Sequence, residues 1–158
     1  MLGKNAHPAG QLRAKDSWTQ GPFRVMLVEN AEDDRACTLE ALSHCDMVQE
    51  VLSYPNASAL IGAMHAMRKE EDSLFHMMPT LLLLGLNLPA TEGFRTLRHL
   101  RSEKHLAGVP VIVLSDVLDA KQVQELDAEG FLHKPLDALK LQECLEGKSP
   151  REEVMKKI

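Results

Sequence analysis

The stretch Thr80-Leu-Leu-Leu-Leu-Gly-Leu-Asn-Leu-Pro89 decides the fold of this chain. Its apolar run, residues 80–84, is continuous and does not alternate with polar residues. That pattern is typical of a central parallel strand that is covered on both faces. Gly85 ends the run and the loop of residues 86–89 follows. The sequence therefore predicts a buried strand with a glycine at its carboxyl end.

Strand and helix patterns alternate on either side of this stretch. Other short apolar runs predict strands at 23–28, 48–54, 109–114 and 130–133. Helical spacing predicts helices after Asn30, after Asn56, around 94–100, at 119–128 and at 137–145. Asn30 is expected to cap the first helix, and Asn56 or Ser58 the second. The longer stretch 68–76 is expected to form an extra surface loop.

Five strands alternating with five helices predict an α/β fold with one parallel sheet and right-handed crossovers. The expected strand order is 2-1-3-4-5, the doubly wound, flavodoxin-like form. Its ligand crevice lies at the carboxyl ends of the first and third strands. In this chain Glu29 and Asn30 follow the first strand, and Gly85 follows the third. These residues are the first candidates for a functional site.

Composition excludes several classes of protein. A net charge of −5 and a pI of about 5.8 argue against a general nucleic-acid binder. Because no run of about 18 apolar residues occurs, we expect no membrane insertion. Residues 1–22 lack an apolar signal segment, and the three cysteines lack metal-ligand spacing, so we expect a cytoplasmic protein. The expected organisation is a flexible arm at 1–22, one domain at 23–147 and a charged tail at 148–158.

Three short motifs occur in order on this α/β frame. They are Leu-Asn-Leu-Pro at 86–89, Val-Pro-Val-Ile-Val-Leu-Ser at 109–115, and Lys134-Pro135. Each is weak alone. Together they make residues 23–145 resemble the receiver domain of response regulators, in its stand-alone, chemotaxis-type form.

The resemblance implies a site that has lost its chemistry. In the family an aspartate at the position of Gly85 takes the phosphoryl group, and glycine can be neither nucleophile nor metal ligand. Glu29 matches the first of two acids beside the metal, but Asn30 replaces the second. Mg²⁺ prefers several carboxylate oxygens, so its binding is expected to be weak or absent, and no other cofactor is implied.

Other family positions are kept. Ser115 matches the switch hydroxyl and Lys134 the lysine that neutralises a phosphoryl oxygen. Phe131 matches the aromatic switch position, where a plain core aromatic is about as good an interpretation. Asp116 replaces a residue that is usually small. We expect Lys134 to form an ion pair with Glu29 or Asp116.

The resulting hypothesis is a phosphorylation-independent pseudo-receiver with no enzymatic activity. It would act as a protein–protein interaction module in bacterial two-component signalling or a phosphorelay. The expected partner is a sensor kinase or another receiver, with a homodimer as a further option. The alternative is a sensor that binds a small molecule, such as a quinone or another flat cofactor, in the crevice near Gly85. Residual phosphorylation of Glu29 or Asp116 is disfavoured, since neither lies at the required strand position.

Overall fold

A computed structural model of the chain describes residues 22–67, 79–86, 90–116, 121, 125–126 and 128–146. The strands are β1 (Phe23–Val28), β2 (Val48–Tyr54), β3 (Leu81–Leu86), β4 (Val111–Ser115) and β5 (Gly130–His133). The helices within the described residues are α1 (Glu32–Leu42), α2 (Ala57–Met67), α3 (Ala90–Arg101) and α4 (Ala138–Leu145). The strands form one parallel sheet in the order β2-β1-β3-β4-β5. The predicted doubly wound α/β fold is confirmed.

The continuous apolar run in β3 is buried on both faces of the sheet. Leu82 and Leu84 pack into a core cluster with residues of α2 and α3. Leu81 and Leu83 pack into a second cluster with residues of α1 and α4. The side chains of Leu81–Leu84 therefore meet a helix layer on one face or the other, which explains why the run does not alternate.

Gly85 lies inside β3 and does not end it, contrary to the prediction. Pairing of β3 with β1 stops at Leu84, whose partner is Val28. Pairing with β4 continues further, so that Gly85 pairs with Leu114 and Leu86 with Ser115. The neighbouring strand β4 thus extends β3 past the point that local sequence suggested.

The first helix begins without the predicted side-chain cap. Ala31, not Asn30, is at the N-cap position, and it makes no side-chain cap hydrogen bond. Its backbone N–H instead donates to Glu29 Oε2 at 3.1 Å. The second prediction is confirmed, because Asn56 Oδ1 accepts from the backbone N–H of Ala59 at 2.8 Å.

Several predictions lie outside the described residues. They are the arm before residue 22, the surface loop at 68–76, most of the helix at 119–128 and the tail at 148–158. No helix among the residues described is long and apolar enough to cross a membrane.

Candidate functional site

The carboxyl edge of the sheet gathers the residues that the sequence singled out. Glu29 follows β1 directly, Gly85 is the penultimate residue of β3, Ser115 ends β4, and Lys134 follows β5. Because the strands are parallel, all four positions fall at the same edge. The predicted crevice and the sheet geometry coincide.

Glu29 fills the space beside Gly85. Its side chain is fully buried, with no exposed surface. A Cβ placed on Gly85 would lie 2.6 Å from Cδ of Glu29 and closer still to Oε1 of the same carboxylate. These separations are shorter than Cβ atoms show in folded proteins. The carboxylate of Glu29 therefore occupies the place that a side chain of residue 85 would take.

Lys134 joins this carboxylate to a second one. Its Nζ lies 2.9 Å from Glu29 Oε1 and 2.9 Å from Asp34 Oδ2. The lysine side chain is 6% exposed, whereas that of Asp34 is 38% exposed. Of the two predicted partners of Lys134, Glu29 is confirmed and Asp116 is not observed; the second carboxylate is that of Asp34.

Sequence reasoning missed Asp34. It lies in the first turn of α1, where acids suit the positive end of the helix dipole. Its approach to Lys134 joins residues that are 100 positions apart in sequence. The usable signal is its place in the first turn of the helix that begins at the carboxyl edge.

The backbone of Glu29 is held from two further elements. Its N–H donates to the carbonyl of Tyr54 at 3.0 Å, and its own carbonyl accepts from Arg35 Nη1 at 2.8 Å. The second carboxylate oxygen, Oε2, accepts from the Ala31 N–H. Burial raises the pKa of the Tyr54 phenol above its ordinary value. Hydrogen bonds from strand β2 and helix α1 thus fix the backbone position of Glu29.

The remaining predicted residues surround this network. Ser115 is buried, and its carbonyl accepts from the Lys134 N–H at 3.2 Å. Asp116 and Asn30 are exposed. Phe131 is buried in the core cluster on the α2 and α3 side of the sheet. Its packing agrees with a core aromatic, and a switch role stays a prediction.

Pockets lined by described residues border the site on two sides. The larger, of about 370 Å³, lies beside Gly85 and is lined by Val28, Asn30, Ala31, Pro55, Asn56, Ala57, Leu84, Gly85, Leu86 and Thr96. These described lining residues carry amides and a hydroxyl but no charge. The smaller pocket, of about 140 Å³, is lined by Asp34, Cys37, Thr38, Asp116, Lys134 and Pro135. Among the described residues, the linings of the two pockets have no member in common, and Lys134 lines the smaller of them.

Comparison with known proteins identifies the family. The family model described as the response regulator receiver domain matches residues 25–146. The chain belongs to this family. Receiver domains are typically non-enzymatic signalling modules of two-component systems, and they interact with signalling proteins such as kinases.

Two curated relatives come from Synechocystis sp. This receiver domain is 28% identical to response regulator Rcp1 over 94 residues, covering 60% of this chain and 62% of Rcp1. It is 33% identical over 64 residues to the DNA-binding dual master transcriptional regulator RpaA, covering 39% of this chain and 27% of RpaA. The chain spans less than two thirds of the length of each relative.

Solved receiver structures share the fold. The phosphorylated cyanobacterial phytochrome response regulator RcpA is 26% identical, with a TM-score of 0.53, and the match covers 79% of this chain and 89% of RcpA. The bacteriophytochrome response regulator AtBRR has a TM-score of 0.58 at 23% identity, over 81% of this chain and 94% of AtBRR. At that identity AtBRR supports the fold alone.

Proposed function

We propose that this receiver domain acts without phosphorylation, as a protein–protein interaction module in two-component-type bacterial signalling. One observation carries the proposal. The carboxylate of Glu29 fills the side-chain space of Gly85 and is held there by Lys134. On this account the site is degenerate, and Gly85 is its lost phosphoacceptor position.

Phosphoryl transfer to a receiver needs a carboxylate that an in-line phosphodonor can approach. Gly85 offers none. Glu29 has a carboxylate, but that group is fully buried and ion-paired with Lys134. Asp116 is exposed but lies on the loop after β4, one strand away from the family position. These placements support a site that does not accept a phosphoryl group.

The same residues do not fit Mg²⁺. This cation requires near-octahedral oxygen ligands and usually one or two carboxylates. One oxygen of Glu29 faces Lys134 and the other accepts from a backbone N–H. Asn30 contributes only an amide, and Gly85 contributes no side chain. Among the described residues no group of three or more His, Cys, Asp or Glu side chains is arranged to hold a metal ion. We therefore expect weak or absent Mg²⁺ binding.

The proposed partner is a sensor kinase or another receiver, with a homodimer as a further possibility. The interaction of receiver domains with kinases supports this choice, and the phytochrome response regulator RcpA is among the similar structures. Since the phosphoryl group is not needed, binding would depend on the partner's affinity for the single state that the ion network fixes. The acidic net charge of −5 supports a protein partner over nucleic acid. We therefore propose a cytoplasmic location, where the protein could meet two-component partners of this kind.

Intact-mass spectrometry after incubation with acetyl phosphate and Mg²⁺ tests the proposal. We expect no gain of a phosphoryl group under conditions that fully modify a receiver that carries the aspartate. A stoichiometric, hydroxylamine-sensitive phosphoryl adduct on Glu29 or Asp116 would overturn the proposal.

The pocket beside Gly85 favours a second candidate, a small-molecule sensor. Its volume of about 370 Å³ lies within the range of ligand sites, roughly 300–1,000 Å³. Native mass spectrometry of the protein purified from its own cells would then show a stoichiometric adduct. A Thr96→Phe variant fills the pocket and is expected to lose that adduct. Arg98→Phe, on the exposed face of the same helix, should retain it.

A further inference from the structure

We infer that Glu29 and Gly85 form one coupled unit, in which Glu29 supplies from β1 the carboxylate that position 85 lacks. The arrangement of Lys134 then depends on residue 85 having no side chain. This inference deepens the proposed function by naming what replaces the phosphoacceptor.

The first step is steric. Pairing of β1 with β3 ends at Val28 and Leu84, so the next residues, Glu29 and Gly85, lie beside each other at the sheet edge. Even a methyl group at residue 85 would overlap Cδ and Oε1 of Glu29. The conformation of Glu29 seen here is therefore available only when residue 85 is glycine.

The second step is electrostatic. Glu29 is fully buried and Lys134 is 6% exposed, so each needs the charge of the other to offset its loss of hydration. Asp34, at 38% exposure, adds a carboxylate from the solvent side. The ammonium of Lys134 thus joins β1, α1 and the end of β5. Moving Glu29 would break the most buried contact of this network.

The consequence is a fixed carboxylate at the place where an ordinary receiver gains charge on phosphorylation. The Glu29 carboxylate is a permanent buried partner of Lys134, and no phosphorylation is needed to supply that negative charge. The identities of Glu29, Gly85 and Lys134 therefore keep the site in one state, with the ion pair formed. Gly85 is required for that state, in addition to being the position of the lost nucleophile.

A double-mutant cycle tests the coupling. Gly85→Ala is expected to lower the urea midpoint of the otherwise unchanged protein, because its methyl group displaces Glu29. In a Glu29→Ala background the same change is expected to leave the midpoint unchanged or raise it, since the methyl group enters vacated space. Gly62→Ala is the matched control, because a Cβ at Gly62 meets nothing within 4 Å. It should shift the midpoint equally in both backgrounds.

The ammonium NMR signal of Lys134 gives a readout that a general loss of stability would not move. We expect Gly85→Ala to change the Lys134 signal while that of the exposed Lys104 stays unchanged. If Gly85→Ala fails to fold, the folded Glu29→Ala/Gly85→Ala protein still completes the test, because its recovery shows the coupling. Equal effects of Gly85→Ala in both backgrounds, or an unchanged Lys134 signal in a folded Gly85→Ala protein, would overturn the inference.

This test and the phosphorylation test fail independently. If the effects of Gly85→Ala and Glu29→Ala are additive and no phosphoryl adduct forms, the coupling is contradicted but the proposed function is not. If a phosphoryl adduct forms and the two substitutions are coupled, the proposed function is contradicted but the coupling is not.

Discussion

At residue 85, the absence of a side chain changes the position and the ion pairing of the neighbouring Glu29. Without a Cβ at Gly85, the carboxylate of Glu29 turns into the sheet edge and meets the ammonium of Lys134. Glu29, which we propose to match a metal-site acid of the family, is thereby ion-paired with a lysine. We attribute the proposed loss of phosphorylation to this pairing as much as to the missing aspartate.

Removing the lysine is expected to be costly. Lys134→Met leaves the buried Glu29 without its cation and should lower the free energy of unfolding by about 3–5 kcal/mol. Adding Glu29→Gln to that variant should recover part of the loss, because the buried charge is then gone. Urea unfolding measures both effects. Lys104→Met, at an exposed position, is the control and should change stability by less than about 0.5 kcal/mol. Similar losses for the two lysines would contradict the assignment.

Repair of the proposed site is expected to depend on Glu29 as well as on Gly85 and Asn30, the two positions proposed to have lost an acid. Gly85→Asp with Asn30→Asp supplies both acids, but the new side chain at 85 must compete with the Glu29 carboxylate for space. Shortening that residue by Glu29→Asp in the same protein is therefore expected to raise the fraction phosphorylated by acetyl phosphate. Intact mass gives that fraction. A triple variant that folds but is modified no more than the double variant would count against Glu29 as the obstacle.

Among the elements, α1 and α4 differ in whether the N-cap side chain accepts hydrogen bonds from the N–H groups of the first turn. Asp137 Oδ1 accepts from the N–H groups of Leu139 and Lys140 and so caps α4. Asp137→Ala should therefore lower the free energy of unfolding by about 1 kcal/mol. Asn30→Ala is the matched comparison, since Asn30 does not cap α1, and it should change stability by less than about 0.5 kcal/mol. A larger loss for Asn30→Ala than for Asp137→Ala would contradict the observed caps.

Local patterns predicted the elements well where local forces decide their bounds. Strands β1, β2 and β5 begin and end where apolar runs and breakers placed them. The prediction failed for the end of β3, because its last residues are set by pairing with β4. It failed for the cap of α1, because the side chain of Glu29 accepts from Ala31 N–H there. The first error comes from pairing with another strand, which the local sequence does not encode. The second comes from a local contact, because a side chain two residues before Ala31 takes the place of the predicted Asn30 cap.

The site could be predicted only in part, because the fold determines some of its contacts and side-chain packing determines the others. Parallel strands bring their carboxyl ends to one edge, so the meeting of Glu29 and Lys134 followed from the fold. The choice of Asp34 over Asp116 did not follow, because it depends on how α1 packs beside the end of β5. The overlap between the Glu29 carboxylate and a side chain at 85 required coordinates.

At the scale of the whole molecule, burial sorts the three free cysteines. Cys37 is exposed, whereas Cys45 and Cys144 are buried in the core cluster that packs against α1 and α4. Burial raises the pKa of the Cys144 thiol from 9.0 to about 12. At neutral pH we expect a disulfide reagent to modify Cys37 quickly and the other two thiols only when the protein opens. Fast labelling of all three in the folded protein would contradict the packing.

The same thiol gives stability a pH dependence with a definite sign. Because the folded pKa lies above the ordinary value, only the unfolded chain gains a thiolate between pH 9 and about 12. The contribution of Cys144 is therefore complete below pH 9 and is lost as the pH rises toward 12. Cys144→Ala should flatten the fall of the urea midpoint over that range, relative to Cys37→Ala. Parallel pH profiles for the two variants would contradict this account.

We propose that the carboxyl edge of the sheet is fixed without a phosphoryl group. The most direct measurement is an amide NMR titration with Mg²⁺ followed by beryllofluoride, a phosphoryl mimic, with an aspartate-bearing receiver as the positive control. We expect the signals of Ala31, Gly85, Ser115 and Lys134 to stay unchanged under conditions that saturate the control. Saturable shifts at these residues would show a working metal and phosphoryl site and would contradict the claim.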